Sequence, residues 1–303
     1  MKGIKSFSKE IKKQIEDHYG DLATVELSEV LKTNGRKETR VNILFNDSDE
    51  VAIPVFYIND LYDEYKNGKL TIEECTDKII NLRTNNILYV SFENIANIMS
   101  WEIAKDNIYP RLINTNDNQE LLEELVNYPF LDLSVIFILR GSRDPDGGFK
   151  SIKITKELFR RYGVSMETLK NTALENMKND NYRFEKLQNM ICKIIGCGEI
   201  KGNEDETSEF EPGNMYVLSN GGGVFGAAGM LNEEMLRKQL KNNNTYIIPS
   251  SVHELLFVPA EGIDAKELTE MIQSVNETLV SPTDKLSDHP YYYEGYTQKL
   301  ICA

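Results

Sequence analysis

The chain has 303 residues, 41% hydrophobic and 27% charged, a composition usual for a globular protein large enough for two domains. Asp and Glu number 48 against 34 Lys and Arg, and the net charge of −14 argues against general affinity for nucleic acid or an anionic membrane. No apolar run reaches the ~20 residues of a membrane-spanning helix, and the start Met1–Ser6 has no signal-peptide core. Four scattered cysteines (Cys75, Cys192, Cys197 and Cys302) read as reduced thiols, so the expected location is cytoplasmic.

In chain order, Phe7, Ile11, Ile15 and Tyr19 recur every four residues and predict an amphipathic first helix. Asn34-Gly35 is a hairpin turn signal ahead of a strand carrying Val41, Ile43 and Phe45. A further strand is expected over Val51–Tyr57. Thr71 with Glu74 forms a capping box, and Ile72, Cys75, Ile79 and Leu82 follow on one helical stripe. Another helix carries Ile95, Ile98, Met99 and Glu102. The nearly continuous apolar run Leu131–Leu139 predicts a central strand, and Pro145–Gly148 turns the chain into Phe149–Thr155. Two helices follow, one capped by Ser165 with Leu169, Ala173 and Met177, the other bearing Phe184, Leu187, Ile191, Ile194 and Ile195.

Residues 196–213, with six acids and one lysine, cannot bury enough surface to offset their ordering entropy, and read as an acidic linker or mobile loop. Beyond it, Met215–Ser219 is a strand, a glycine-rich stretch turns it, and Phe225–Leu231 is expected to return as its hairpin partner. Asn232 caps a helix with Met235, Leu236 and Leu240. Tyr246–Pro249 and Glu254–Pro259 read as strands. Asp264 and Glu267 start a helix whose Leu268, Met271, Ile272 and Val275 lie on one face. Tyr291–Tyr293 reads as an edge strand. The expected fold is α+β: a mixed N-terminal lobe over 1–195, the linker 196–213, and a ββα-ββα-β lobe over 214–303 with an antiparallel sheet.

The runs MYVLSNGGGVFGAAGMLNEEML, YIIPSSVHELLFVPA and MIQSVNETLVSPTDKLSDHPYYYEG resemble a bacterial family known as a domain of unknown function, with members mainly in anaerobic intestinal bacteria. DLYDEYKNGKL and YPFLDLSVIF extend that resemblance into the N-terminal half. A more distant similarity links residues 214–303 to a second uncharacterised bacterial family. The resemblance implies one co-linear bacterial protein and assigns no catalytic residue, cofactor or partner.

Three motifs invite a chemical reading. Gly221, Gly223 and Gly226 satisfy G-x-G-x-x-G after a strand, the pattern that lets backbone approach a pyrophosphate. The segment from Phe225 to Met230 is a poor helix start, however, so a hairpin turn is expected and no cofactor. Ser250–Glu254 concentrates nucleophile, base and acid types; Ser251 and His253 share a face of an extended chain, and Asp288 is the obvious carboxylate. No G-x-S-x-G elbow accompanies them, so the stretch reads as a polar turn with a structural His253. The three histidines, His18, His253 and His289, sit in unrelated contexts, and no metal site is expected.

Tyr291, Tyr292 and Tyr293 on an edge strand suit pairing with another protein, or packing on their own domain. The leading expectation is therefore a cytoplasmic, non-enzymatic interaction or regulatory protein. The alternatives are a hydrolase using Ser251, His253 and Asp288, and a small-ligand sensor at the lobe junction.

Overall fold

The structure, a computed structural model, describes residues 3–46, 55–85, 98–143, 149–195, 210–211 and 213–303. The chain divides into two compact units, residues 1–98 and 99–303. Most of the acidic stretch 196–213, and the turn expected over Pro145–Gly148, lie outside the described residues.

In the first unit, helix α1 (Ile4–Tyr19) buries Phe7, Ile11 and Ile15. Strands β1 (Ala23–Leu31), β2 (Lys37–Phe45) and β3 (Val55–Tyr57) form an antiparallel sheet. Asn34 and Gly35, both at positive φ, make the β1–β2 turn. Residues 51–54 of the expected third strand lie outside the described residues. Helix α2 (Asn59–Lys66) precedes α3 (Ile72–Asn85), whose capping box is formed: Glu74 N–H donates to Thr71 Oγ1 at 3.1 Å and Thr71 N–H to Glu74 Oε2 at 2.7 Å. Cys75 and Ile79 from α3 close the core with Val25, Val41, Ile43 and Ile58.

The second unit opens with the short α4 (Trp101–Ala104) and strand β4 (Ile108–Asn114). Residues 95–97, placed on that helix by the sequence, lie outside the described residues. After α5 (Gln119–Glu124), β5 (Asn127–Phe130) and β6 (Leu133–Arg143) make a two-residue hairpin, and β7 (Phe149–Lys153) pairs with β6. The apolar run does give a central strand, but Leu131 belongs to the hairpin turn, at φ 54°. Helices α6 (Lys156–Tyr162) and α7 (Met166–Lys178) follow, each with a side-chain N-cap, Thr155 and Ser165.

A six-stranded antiparallel sheet organises the rest: β8 (Arg183–Lys186), β9 (Tyr216–Ser219), β10 (Thr245–Ile248), β11 (Leu255–Pro259), β12 (Tyr291–Glu294) and β13 (Lys299–Cys302), in the order 13-12-10-11-9-8. Phe184 lies on β8 and not on the helix expected to carry it, which begins at Leu187 as α8 (Leu187–Ile195). β8 thus pairs with β9 from the far side of the acidic stretch.

Two further elements differ from expectation. Phe225–Leu231 does not return as a strand; Gly226–Leu231 is a 3-10 helix packed against β9 and β4. A Cβ on Gly226 would lie 2.5 Å from the His253 carbonyl oxygen and 2.8 Å from Asn220 N, so only glycine permits this approach. The strand order of this part is therefore β-α-ββ-α-ββ. The tyrosine strand β12 is not an edge: β10 flanks it on one side and β13 on the other, and Tyr291 and Tyr293 are buried. The fold class is α+β with antiparallel sheets.

One face of the large sheet packs Tyr216, Leu218, Ile247, Phe257 and Tyr291 against the 3-10 helix, helix α9 (Glu233–Leu240), and Leu112, Leu133 and Val135 of the second sheet. The other face carries Ile248 and Val258 under Leu268 and Ile272 of α10 (Ala265–Thr278). The caps of α9 and α10 are Asn232 and Asp264, as the sequence predicts.

Candidate functional site

The motif-bearing loops gather at one end of strands β9, β10 and β11. β9 ends at Asn220, which is buried and organises the glycine stretch through its side chain. Its Oδ1 accepts from Gly222 N–H at 3.2 Å and Val224 N–H at 3.1 Å, and its Nδ2 donates to the Val224 carbonyl at 2.7 Å. Gly223 N–H donates to the Asn220 carbonyl at 3.0 Å, and Phe225 N–H to His253 Nδ1 at 3.2 Å. The N–H groups of residues 222–225 are thus all spent within the protein, and a pyrophosphate cradle needs such groups free. Gly223 supplies a positive φ of 63°, Gly226 the close approach described above, and a Cβ on Gly221 would lie 3.2 Å from Asn181 Cβ.

Ser251 and His253 lie in the turn between β10 and β11. Ser251 Oγ accepts from the backbone N–H of His253 at 3.0 Å, a local turn contact. The His253 ring stacks on Phe225, with centroids 5.6 Å apart and planes at 19°. Because Nδ1 accepts from Phe225 N–H, the other nitrogen bears the hydrogen of the neutral ring, and it faces Asp284 Oδ1 at 3.5 Å. Asp288 is engaged elsewhere: its carboxylate accepts from Asn276 at 2.8 Å and pairs with Lys285 at 2.6 Å. Burial works to raise its pKa, but the Lys285 and Asn276 contacts prevail and hold it below the usual carboxylate value. The structure brings Ser251 and His253 together through a turn, and gives His253 the carboxylate of Asp284 where the sequence suggested Asp288.

Arg111, on β4, completes this neighbourhood. Its guanidinium lies 3.9 Å over the Phe225 ring centroid. The residue is 8% exposed, its Nε is enclosed without an acceptor, and no ion-pair partner meets it among the described residues. Burial pushes its pKa down to about 10, against the pull of the Asp284 carboxylate. The sequence signal was available but faint: one arginine inside the otherwise apolar strand Ile108–Ile113.

A second polar cluster centres on Asp132, in the β5–β6 turn. Its carboxylate accepts from Tyr291 Oη at 2.8 Å and lies 2.9 Å from His289 Nε2, with Cys302 Sγ at 3.7 Å. His289 Nδ1 faces the Pro290 carbonyl at 2.9 Å. Each ring nitrogen thus has an oxygen within hydrogen-bond distance. Burial works to raise the Asp132 pKa, and the hydrogen bonds from His289 and Tyr291 prevail to lower it. Burial, then Asp132, push the Cys302 thiol up, away from the reactive thiolate. Asp132, His289 and Tyr291 stand in two of the segments that carry the family resemblance, YPFLDLSVIF and SDHPYYYEG.

Among the described residues, no three His, Cys, Asp or Glu side chains are grouped to hold a metal ion, and no helix is long and apolar enough to cross a membrane. Cys75 is buried and Cys302 exposed. No curated protein and no solved structure matches the chain. A family model does, over residues 4–295, nearly the whole length, and the chain belongs to the family of unknown function DUF5688.

Proposed function

We propose that the protein is a cytoplasmic, non-enzymatic interaction or regulatory protein. The observation that carries this reading is the engagement of His253: Nδ1 accepts from the Phe225 N–H, and Ser251 Oγ accepts from the backbone of His253 itself. A serine hydrolase needs the serine hydroxyl donating to a ring nitrogen that a carboxylate orients from the other side. Here the nitrogen away from Asp284 already takes a backbone hydrogen, and the serine holds a turn.

The sheet edge supports the interaction half of the reading. Among the described residues β13 pairs only with β12, which leaves its outer backbone groups for an extended segment of a partner protein, with Ile301 half exposed beside them.

The test compares wild type with Ser251→Ala and His253→Ala, measuring both hydrolysis of p-nitrophenyl acetate and urea stability. A structural His253 gives an unchanged hydrolysis rate in both variants and a loss of about 0.5–1.5 kcal/mol on His253→Ala, the range for one hydrogen bond, since the side chain is 32% exposed. Wild-type turnover that Ser251→Ala abolishes, with stability intact, supports the hydrolase instead.

A further inference from the structure

A buried guanidinium without an acceptor is uncommon. Arginine cannot shed its charge in a protein, and its five N–H donors each lose water on burial. Arg111 is 8% exposed, yet among the described residues its only close partner is the face of Phe225. A ring face attracts the cation but accepts none of the hydrogens along the guanidinium edge. Those hydrogens lie in the guanidinium plane and form a fork, which a planar two-oxygen acceptor matches. Asp284 is near enough to influence Arg111 but forms no ion pair with it. Elsewhere in this unit a largely enclosed arginine does obtain a carboxylate: Arg140, its side chain 13% exposed, lies over Tyr109 and pairs with Asp180 at 2.7 Å. Arg111 has the same aromatic platform and lacks the carboxylate.

We propose that Arg111 anchors the carboxylate of a small ligand held against the Phe225–His253 pair. The surroundings select a singly charged group. The neighbouring N–H groups of Gly222, Gly223, Val224 and Phe225 are all committed within the protein, so they offer nothing to the additional oxygens of a phosphate. Asp284 repels a doubly charged group twice as strongly as a carboxylate. The stacked Phe225 and His253 rings, with centroids 5.6 Å apart, give an aromatic surface for the ligand's carbon skeleton. The inference goes beyond the proposed function and stands apart from it, since Arg111 lacks its acceptor whether His253 is structural or catalytic.

The experiment is a thermal-denaturation titration of the full chain with sodium propionate, sodium phosphate and sodium chloride at matched ionic strength. It is run on wild type, Arg111→Met and Arg111→Lys. Propionate is expected to raise the wild-type melting temperature saturably, above the chloride baseline, with phosphate following chloride. Arg111→Met loses the propionate-specific rise. Arg111→Lys keeps the charge without the fork, and its apparent affinity is expected to fall about tenfold or more; it serves alone if the methionine variant does not fold. Equal responses to all three salts overturn the proposal, as does a propionate-specific rise that persists undiminished in Arg111→Lys. A larger rise with phosphate than with propionate overturns the choice of a carboxylate.

Discussion

Replacing Asp132 with alanine removes the acceptor at the centre of the β5–β6 turn cluster. Tyr291 is 0% exposed, and its hydroxyl donates to Asp132 at 2.8 Å. Left without an acceptor, a buried hydroxyl costs about 1–3 kcal/mol. The His289 contact contributes less, because the two side chains are 29% and 37% exposed and solvent screens them; such pairs are worth up to about 1 kcal/mol. The sum is about 1–4 kcal/mol, and for a unit of residues 99–303 that is a fall of about 2–16 °C in melting temperature. Urea denaturation followed by circular dichroism at neutral pH measures it. Tyr291→Phe removes the donor and leaves Asp132 with His289, so it should cost only about 0.5–1.5 kcal/mol. The double variant should cost less than the two single losses together, because the alanine's main penalty disappears with the hydroxyl. Strict additivity within about 0.3 kcal/mol would refute the reasoning, since independent sites behave that way.

Other outcomes follow from the same contacts. Gly226→Ala should destabilise by about 2 kcal/mol or more, since its Cβ would lie 2.5 Å from the His253 carbonyl oxygen. Gly223→Ala, at φ 63° with open space around it, should cost only about 1–2 kcal/mol; denaturant midpoints compare them. NAD or ATP should leave the melting temperature unchanged, because the loop's N–H groups are taken; a site filled to 100 times its Kd would add about 2.7 kcal/mol. The folded pKa of Asp132 is below its ordinary value of 3.8, so its contribution is complete above that value and fades as the pH falls through the lower, folded one. Acid titration of stability should therefore be shallower below about pH 4 for Asp132→Asn than for wild type. An equally steep loss would count against that assignment.

Local chemistry made much of the architecture legible. The stripe Phe7, Ile11, Ile15, the box Thr71–Glu74 and the caps Ser165, Asn232 and Asp264 depend on neighbours a few residues away, and all are found in place. What stayed hidden depends on distant partners. Tyr291–Tyr293 reads as an edge until Lys299–Cys302 pairs outside it, and that four-residue strand has too little pattern to announce itself. The small residues from Gly226 to Gly229 carry no periodicity, and their 3-10 path is set by the His253 carbonyl and Tyr182, against which a Cβ would collide. Asp284 and not Asp288 reaches His253 because the loop backbone is pinned where the Asp284 carbonyl accepts from Val252 N–H at 2.8 Å. Arg111 reads as one more strand residue; only its position over Phe225 marks it.

The central claim is that His253 holds a turn through Nδ1. A long-range proton–nitrogen correlation spectrum of the histidine-labelled protein at neutral pH reads which ring nitrogen carries hydrogen. Nδ1 is expected without hydrogen, coupled to the Phe225 amide, with an unchanged pattern in Ser251→Ala. A protonated Nδ1, or a ring resonance that moves when the Ser251 hydroxyl is removed, would contradict it and return His253 to a catalytic role.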